Sequence, residues 1–136
     1  MLNNTRPGRS FRRLLWVAAA ANVVISLPAI AAPTAIIGLA GRTEADAEIW
    51  PRLAALQLII LSAFYIPPAI DLDRYRPLAW CAVAAHTAGG MFFLFEPGYR
   101  LFAAYDFGFA LPLAALLTMA IRRDRPAASR APVATL

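Results

Sequence analysis

Residues 14–40 carry no charged side chain. A bilayer core about 30 Å thick is crossed by about 20 apolar helical residues, so this run alone is long enough to span. In hydrocarbon every backbone N–H and C=O must be paired within the segment, which restricts a spanning chain to helices or a closed barrel. Three more apolar stretches follow. One is held between Arg52 and Asp71 and one between Arg76 and Glu96, and the last ends at Arg122 and Arg123, interrupted once by Asp106. Composition agrees: of 136 residues, 60% are hydrophobic and 15% charged, against roughly 45–50% and about 25% in soluble domains. The pattern predicts an all-α integral membrane four-helix bundle, up-down-up-down because its loops are short. The transmembrane domain covers 14–122, with spans at about 14–36, 50–70, 77–95 and 101–121. A basic cytoplasmic tail (1–13) precedes it and a disordered cytoplasmic tail (123–136) follows.

Every one of the 13 basic residues is Arg, and the net charge is +5. Such a charge often marks a nucleic-acid partner, but no basic face with interleaved aromatics exists here, so nucleic acid is excluded. The charges flank the spans instead. Both tails and the 71–76 link carry ten Arg, against three on the other side, Arg42, Arg52 and Arg100. That asymmetry places both termini in the cytoplasm. Trp16 and Trp80 then fall at inner span ends, with Tyr75 close by, and Trp50 and Tyr99 at outer ends, as an aromatic belt requires. A cleaved signal peptide is the competing reading, with Arg6–Arg13 as its basic region and Ala29-Ile30-Ala31 as its cleavage site. The apolar run outlasts the usual core of about 7–15 residues, which favours a retained span.

The connections are tight. Glu96-Pro97-Gly98-Tyr99 is a turn by composition, and Thr43 to Asp46 resembles a capping box ahead of span two. Pro28, Pro67, Pro68 and Pro112 lie within or near spans and favour local bends, each lacking a backbone donor. Pro67-Pro68 could also open a cavity at the cytoplasmic end of span two. Cys81, Ala85 and Gly89 recur every fourth residue, a spacing that lets helices approach closely and marks a packing or dimer face.

No phosphate-binding loop, metal-protease motif, Cys pair or nucleophile triad is present, and no metal site is expected. With one Cys in the chain, neither a disulfide nor a Cys-based zinc site forms within it. What remains is a set of polar residues inside the spans. At 1.5 Å of rise per residue, depths above the cytoplasmic edge are about 13 Å for Asn22, about 15 Å for His86, about 19 Å for Ser26, about 20 Å for Gln57 and about 21 Å for Asp106. Ionisable groups at such depths are costly unless they pair or face the bundle interior, which makes these five residues the candidate polar pocket. Asp106 has a local alternative, an interfacial pair with Arg100. His86 has another, a hydrogen bond to Asn22 or Gln57. Haem is disfavoured, since one His cannot supply both axial ligands within a chain. A quinone or lipid could use His86 as a hydrogen-bond partner.

The link Tyr65-Ile-Pro-Pro-Ala-Ile-Asp71-Leu-Asp73-Arg74-Tyr75-Arg76, with its aromatic, small-residue and Asp-x-x-Arg order, resembles small four-span bacterial membrane proteins grouped loosely with the DoxX-like families. The resemblance covers spans two and three. It implies a four-span layout in the bacterial inner membrane, and some members of the group are associated with quinone-linked electron transfer. Without a catalytic constellation, the expected function is that of a non-enzymatic accessory or assembly subunit of an inner-membrane complex. Two alternatives stand beside it: a quinone- or lipid-binding or redox-associated protein with an intramembrane pocket, and a small dimeric transporter. Expected partners are membrane lipid and a homodimer or larger membrane complex.

Overall fold

A computed structural model describes residues 1–39 and 49–128. After a 3-10 turn at Leu2–Asn4 come six helices: α1 (Arg6–Ala31), α2 (Pro33–Leu39), α3 (Ile49–Ala63), α4 (Ile66–Ile70), α5 (Arg76–Phe95) and α6 (Arg100–Ala128). No strand occurs among the described residues. Four stretches are long and apolar enough to cross a membrane: Arg6–Ala31, Pro51–Ile70, Arg76–Phe95 and Arg100–Asp124. Only 22–28% of their most apolar windows is buried inside the protein. Leu27, Val24, Leu101 and Leu111 are all more than half exposed. So much outward apolar surface suits a lipid solvent, and the chain is a multi-pass membrane protein.

The first helix starts earlier than the expected span one. Thr5 caps it by accepting from the Gly8 N–H at 3.0 Å, and Pro7 in the first turn loses only a donor that would have no partner anyway. The helix therefore begins at Arg6, within the basic N-terminal segment ahead of span one, and ends at Ala31 just ahead of Pro33. The tail is docked as well. The Asp73 carboxylate accepts from the Leu2 and Asn3 backbone N–H groups at 2.7 and 3.1 Å. The Asn3 side chain donates to Asp71 and accepts from the Leu72 N–H, both at 2.8 Å. Met1 pairs its amino group with Asp124. At the other end of the chain, α6 runs to Ala128, and the remainder of the expected disordered tail lies outside the described residues. So do the capping box at Thr43–Asp46 and the Trp50 side chain.

Two breaks have evident causes. Pro67 and Pro68 cannot donate to the carbonyls of Ala63 and Phe64, and the ladder tightens there to Phe64 N–H on Leu61 and Tyr65 N–H on Ser62. The span pauses between α3 and α4, and Tyr65 is left almost wholly buried. Between α5 and α6, Gly98 takes φ 89° behind Pro97, and the Tyr99 N–H closes on the Glu96 carbonyl at 3.2 Å. A type II turn needs glycine at that position.

The interior is graded. Nearest the docked N-terminal turn, Phe11, Leu15, Leu72, Ala79, Leu113 and Leu117 form a dense apolar core. Asn22, Ser26 and His86 follow in the next layer, each buried. Beyond them the helices part. α1 packs on α3, α6 packs on α5, and α1 joins α6, whereas α3 and α5 have at most marginal contact among the described residues.

Candidate functional site: a polar floor beneath an intramembrane cavity

His86 organises the site. The buried row of α5 is Ala79, Ala82, Val83, His86 and Gly90, which keeps the imidazole inward and sets its neighbours at four-residue steps. The small-residue row expected at Cys81, Ala85 and Gly89 is therefore rotated to the edge of the contact: Cys81 is exposed, and Ala85 and Gly89 are half-buried. Closeness is nevertheless real at this seam. A Cβ on Gly89 would collide with the Asp106 carboxylate, and one on Gly90 would lie 3.1 Å from the Phe107 ring.

The space over Gly89 is taken by Asp106, whose Oδ1 lies 2.8 Å from His86 Nδ1. His86 is 2% and Asp106 14% exposed. The carboxylate is thus committed to His86 rather than to Arg100, and His86 pairs with Asp106 rather than with Asn22 or Gln57. Nδ1–H donating to an ionised carboxylate leaves Nε2 as the free ring nitrogen, an assignment made from the partner. Aromatic rings wall the imidazole in: Phe109 stacks at 5.3 Å, Tyr65 is tilted at 5.6 Å and Tyr105 is edge-on at 6.4 Å. The Tyr105 hydroxyl donates to Asn22 Oδ1 at 2.7 Å.

Four of the five residues expected in the polar pocket thus come together: Asn22, Ser26, His86 and Asp106. Gln57 does not join them. It sits two residues, or about 200° of helix, from the buried Ala55, and its side chain is exposed on the outward face of α3. Tyr65, Tyr105 and Glu96 are the functional candidates that sequence reasoning passed over. A tyrosine inside an apolar span carries a hydroxyl that needs a partner, and Tyr105 and Phe109 share a face at i and i+4. Those were the available signals.

Ser26 Oγ, which lines the cavity above, is buried with no protein partner, and His86 Nε2, whose ring is not among the lining residues, is buried without one too. Asn22 Nδ2 is in the same condition, and the Tyr65 hydroxyl lies by the Asn22 amide without reaching hydrogen-bond geometry. Leaving such a group unpaired costs about 1–3 kcal/mol. Above the floor lies a cavity of about 650 Å³, within the range of roughly 300–1,000 Å³ typical of small-molecule sites. Ser26, Tyr105 and Asp106 form its base, Pro51, Ala55 and Leu58 of α3 one wall, and Phe92 and Phe93 of α5, with Glu96 just past its end, the other. Its walls are the two helices that fail to pack on each other.

As chemistry, the arrangement can hold a head group by hydrogen bonds and enclose its apolar remainder. It contains a carboxylate–imidazole pair, and no hydroxyl or thiol among the described residues hydrogen-bonds to the imidazole. As metal ligands, His86 and Asp106 are joined by no third His, Cys, Asp or Glu among the described residues. These features define a helical, multi-pass membrane protein with a hollow, polar-floored interior. Compared with models of protein families, with curated proteins and with solved structures, the chain matches none.

Proposed function

We propose that this is a non-enzymatic protein of the bacterial inner membrane that binds a lipid-soluble amphiphile by its polar head. In this reading four spans run up-down-up-down with both termini in the cytoplasm, and the cavity opens in the outer half of the bilayer. The Arg distribution supports the orientation. The resemblance of the 65–76 hairpin to DoxX-like proteins supports the bacterial inner-membrane setting.

One observation carries the functional part: the buried Ser26 hydroxyl lines the cavity without a protein partner, beside Asp106, whose carboxyl joins the cavity to His86. Buried polar groups in native proteins are almost always satisfied, and an orphan hydroxyl in a cavity wall is what a bound head group would satisfy. A quinone or a lipid, the two classes the sequence suggested, fits by size and by its mixed character. The accessory-subunit and dimeric-transporter readings have no comparable physical support.

The test is retention. The full chain, purified in mild detergent, should carry a lipid or quinone detectable by mass spectrometry of an organic extract. His86→Ala and Asp106→Ala should each lose most of it. Retention unchanged in both variants, or an extract no different from the detergent's background lipid, would overturn the reading.

A further inference from the structure

The charge of the cavity narrows what its occupant can be, provided the ligand-binding reading holds. Among the described residues two acidic side chains line it, Glu96 and Asp106, and no Arg does; Arg100 at the start of α6 is exposed. The imidazole of His86 is engaged through Nδ1 by Asp106. An anionic phosphate head would face those two acidic side chains with no guanidinium among the described lining residues to offset them, in a setting where charge–charge terms exceed those in water.

Aromatic rings supply the second half of the chemistry. Phe93, Tyr99 and Phe102 form a cluster with centroids 5.5–5.8 Å apart on the cavity wall, and Tyr105 lies at its base. Ring faces attract cations, most strongly where water is excluded. Independently of the acidic pair, the Ser26 hydroxyl is 1% exposed, lines the cavity and has no protein partner. Its oxygen can accept from an ammonium or amidinium N–H. From these facts the geometry points to a lipophilic organic cation as the ligand class, its charged head between Glu96 and Asp106 and its apolar body against the aromatic wall. Access is from the side, where α3 and α5 stand apart.

Paired probes of matched shape and opposite charge test this on the detergent-solubilised full chain. Tetraphenylphosphonium and tetraphenylborate are titrated by calorimetry or equilibrium dialysis. The cation is expected to bind at least tenfold more tightly than the anion, and Glu96→Gln to weaken the cation about tenfold while leaving the anion no weaker. Asp106→Asn should weaken it further. Glu96→Gln carries the test on its own if Asp106→Asn fails to fold, because Glu96 stands at the half-exposed rim. Equal affinity for both ions, or a cation affinity indifferent to Glu96→Gln, overturns the cation assignment. If in addition the organic extract holds a neutral or anionic amphiphile that His86→Ala releases, only this assignment falls. If neither probe binds and the extract is empty, the ligand-binding reading falls with it.

Discussion

Gly89 and Cys81 lie on the same expected stripe of α5, yet they make opposite predictions. A methyl group on Gly89 occupies the place of the Asp106 carboxylate, so Gly89→Ala must displace the acid from His86. Overpacking of this kind costs about 1–3 kcal/mol. Cys81→Ala touches only the exposed face and should stay within about 0.5 kcal/mol of the parent. Reversible unfolding in mixed micelles would check both, and equal effects would contradict the placement of the stripe. The two tyrosines diverge likewise. Tyr105→Phe strips Asn22 Oδ1 of its donor and should destabilise by about 1–3 kcal/mol, whereas Tyr65→Phe removes a hydroxyl with no partner and should be neutral or stabilising. That His86 and Asp106 stand at neighbouring levels of their helices was legible in the sequence, because rise per residue is fixed. Their mutual pairing was not, because it depends on the rotation of α5 against α6. Rotation also separates Gln57 from the others: depth alone put it in the layer, and only the buried face of α3 reveals that it points away.

At the scale of elements, the span count was readable because the apolar runs are long and their charged ends sharp. The helical start of α1 was not legible in the Arg-rich sequence ahead of span one, where no apolar run marks it. Its helix is specified instead by Thr5 and by side-chain contacts far along the chain. Arg12 reaches across to donate to the Ala69 carbonyl at 2.7 Å, beside the Pro-Pro break. Thr5→Ala should lower stability by about 1 kcal/mol through the lost cap. The docked turn should also respond to pH. Asp71 is held below the ordinary aspartate value of 3.8, first by the Asn3 side chain and then by the Arg74 N–H, so its contribution is present above that value and fades as pH falls through the depressed one. The Met1 amino group is raised above 8.0, chiefly by its bond to Asp124. Its contribution is present below 8.0 and fades as pH climbs through the raised value. Proteolytic nicking near residues 1–5 should therefore be slowest between mildly acidic and mildly alkaline pH. A rate that fails to rise as pH falls below the depressed Asp71 value, or as it climbs above the raised Met1 value, would count against the docking.

For the whole molecule, the decisive quantity is how little of each span the protein itself covers. With at most 28% of any span window buried, the outward apolar surface must be met by lipid. After alkaline carbonate washing of cells the chain should remain entirely with the membrane pellet; recovery in the supernatant would refute the membrane assignment. Its two ends differ in kind. One is filled with close-packed apolar side chains and the other encloses a cavity of about 650 Å³. Composition could not foretell that difference, because Ala and Phe are abundant in both halves and only their facing across helices decides which half closes.

The docked turn has a mechanical consequence. Leu2 and Asn3 are fastened to the link ahead of α5, and Met1 to the last turns of α6, while Arg12 ties α1 to the Pro-broken span. All four spans are clasped near one end, as the prongs of a tuning fork are joined at its stem. Separation of α3 from α5 then has its fulcrum at that stem, and the same small angular sway moves the distant tips farthest. Loosening the clasp, as Asp73→Ala would, should widen the play of a mouth at the far end of the helices without touching a single residue that lines it.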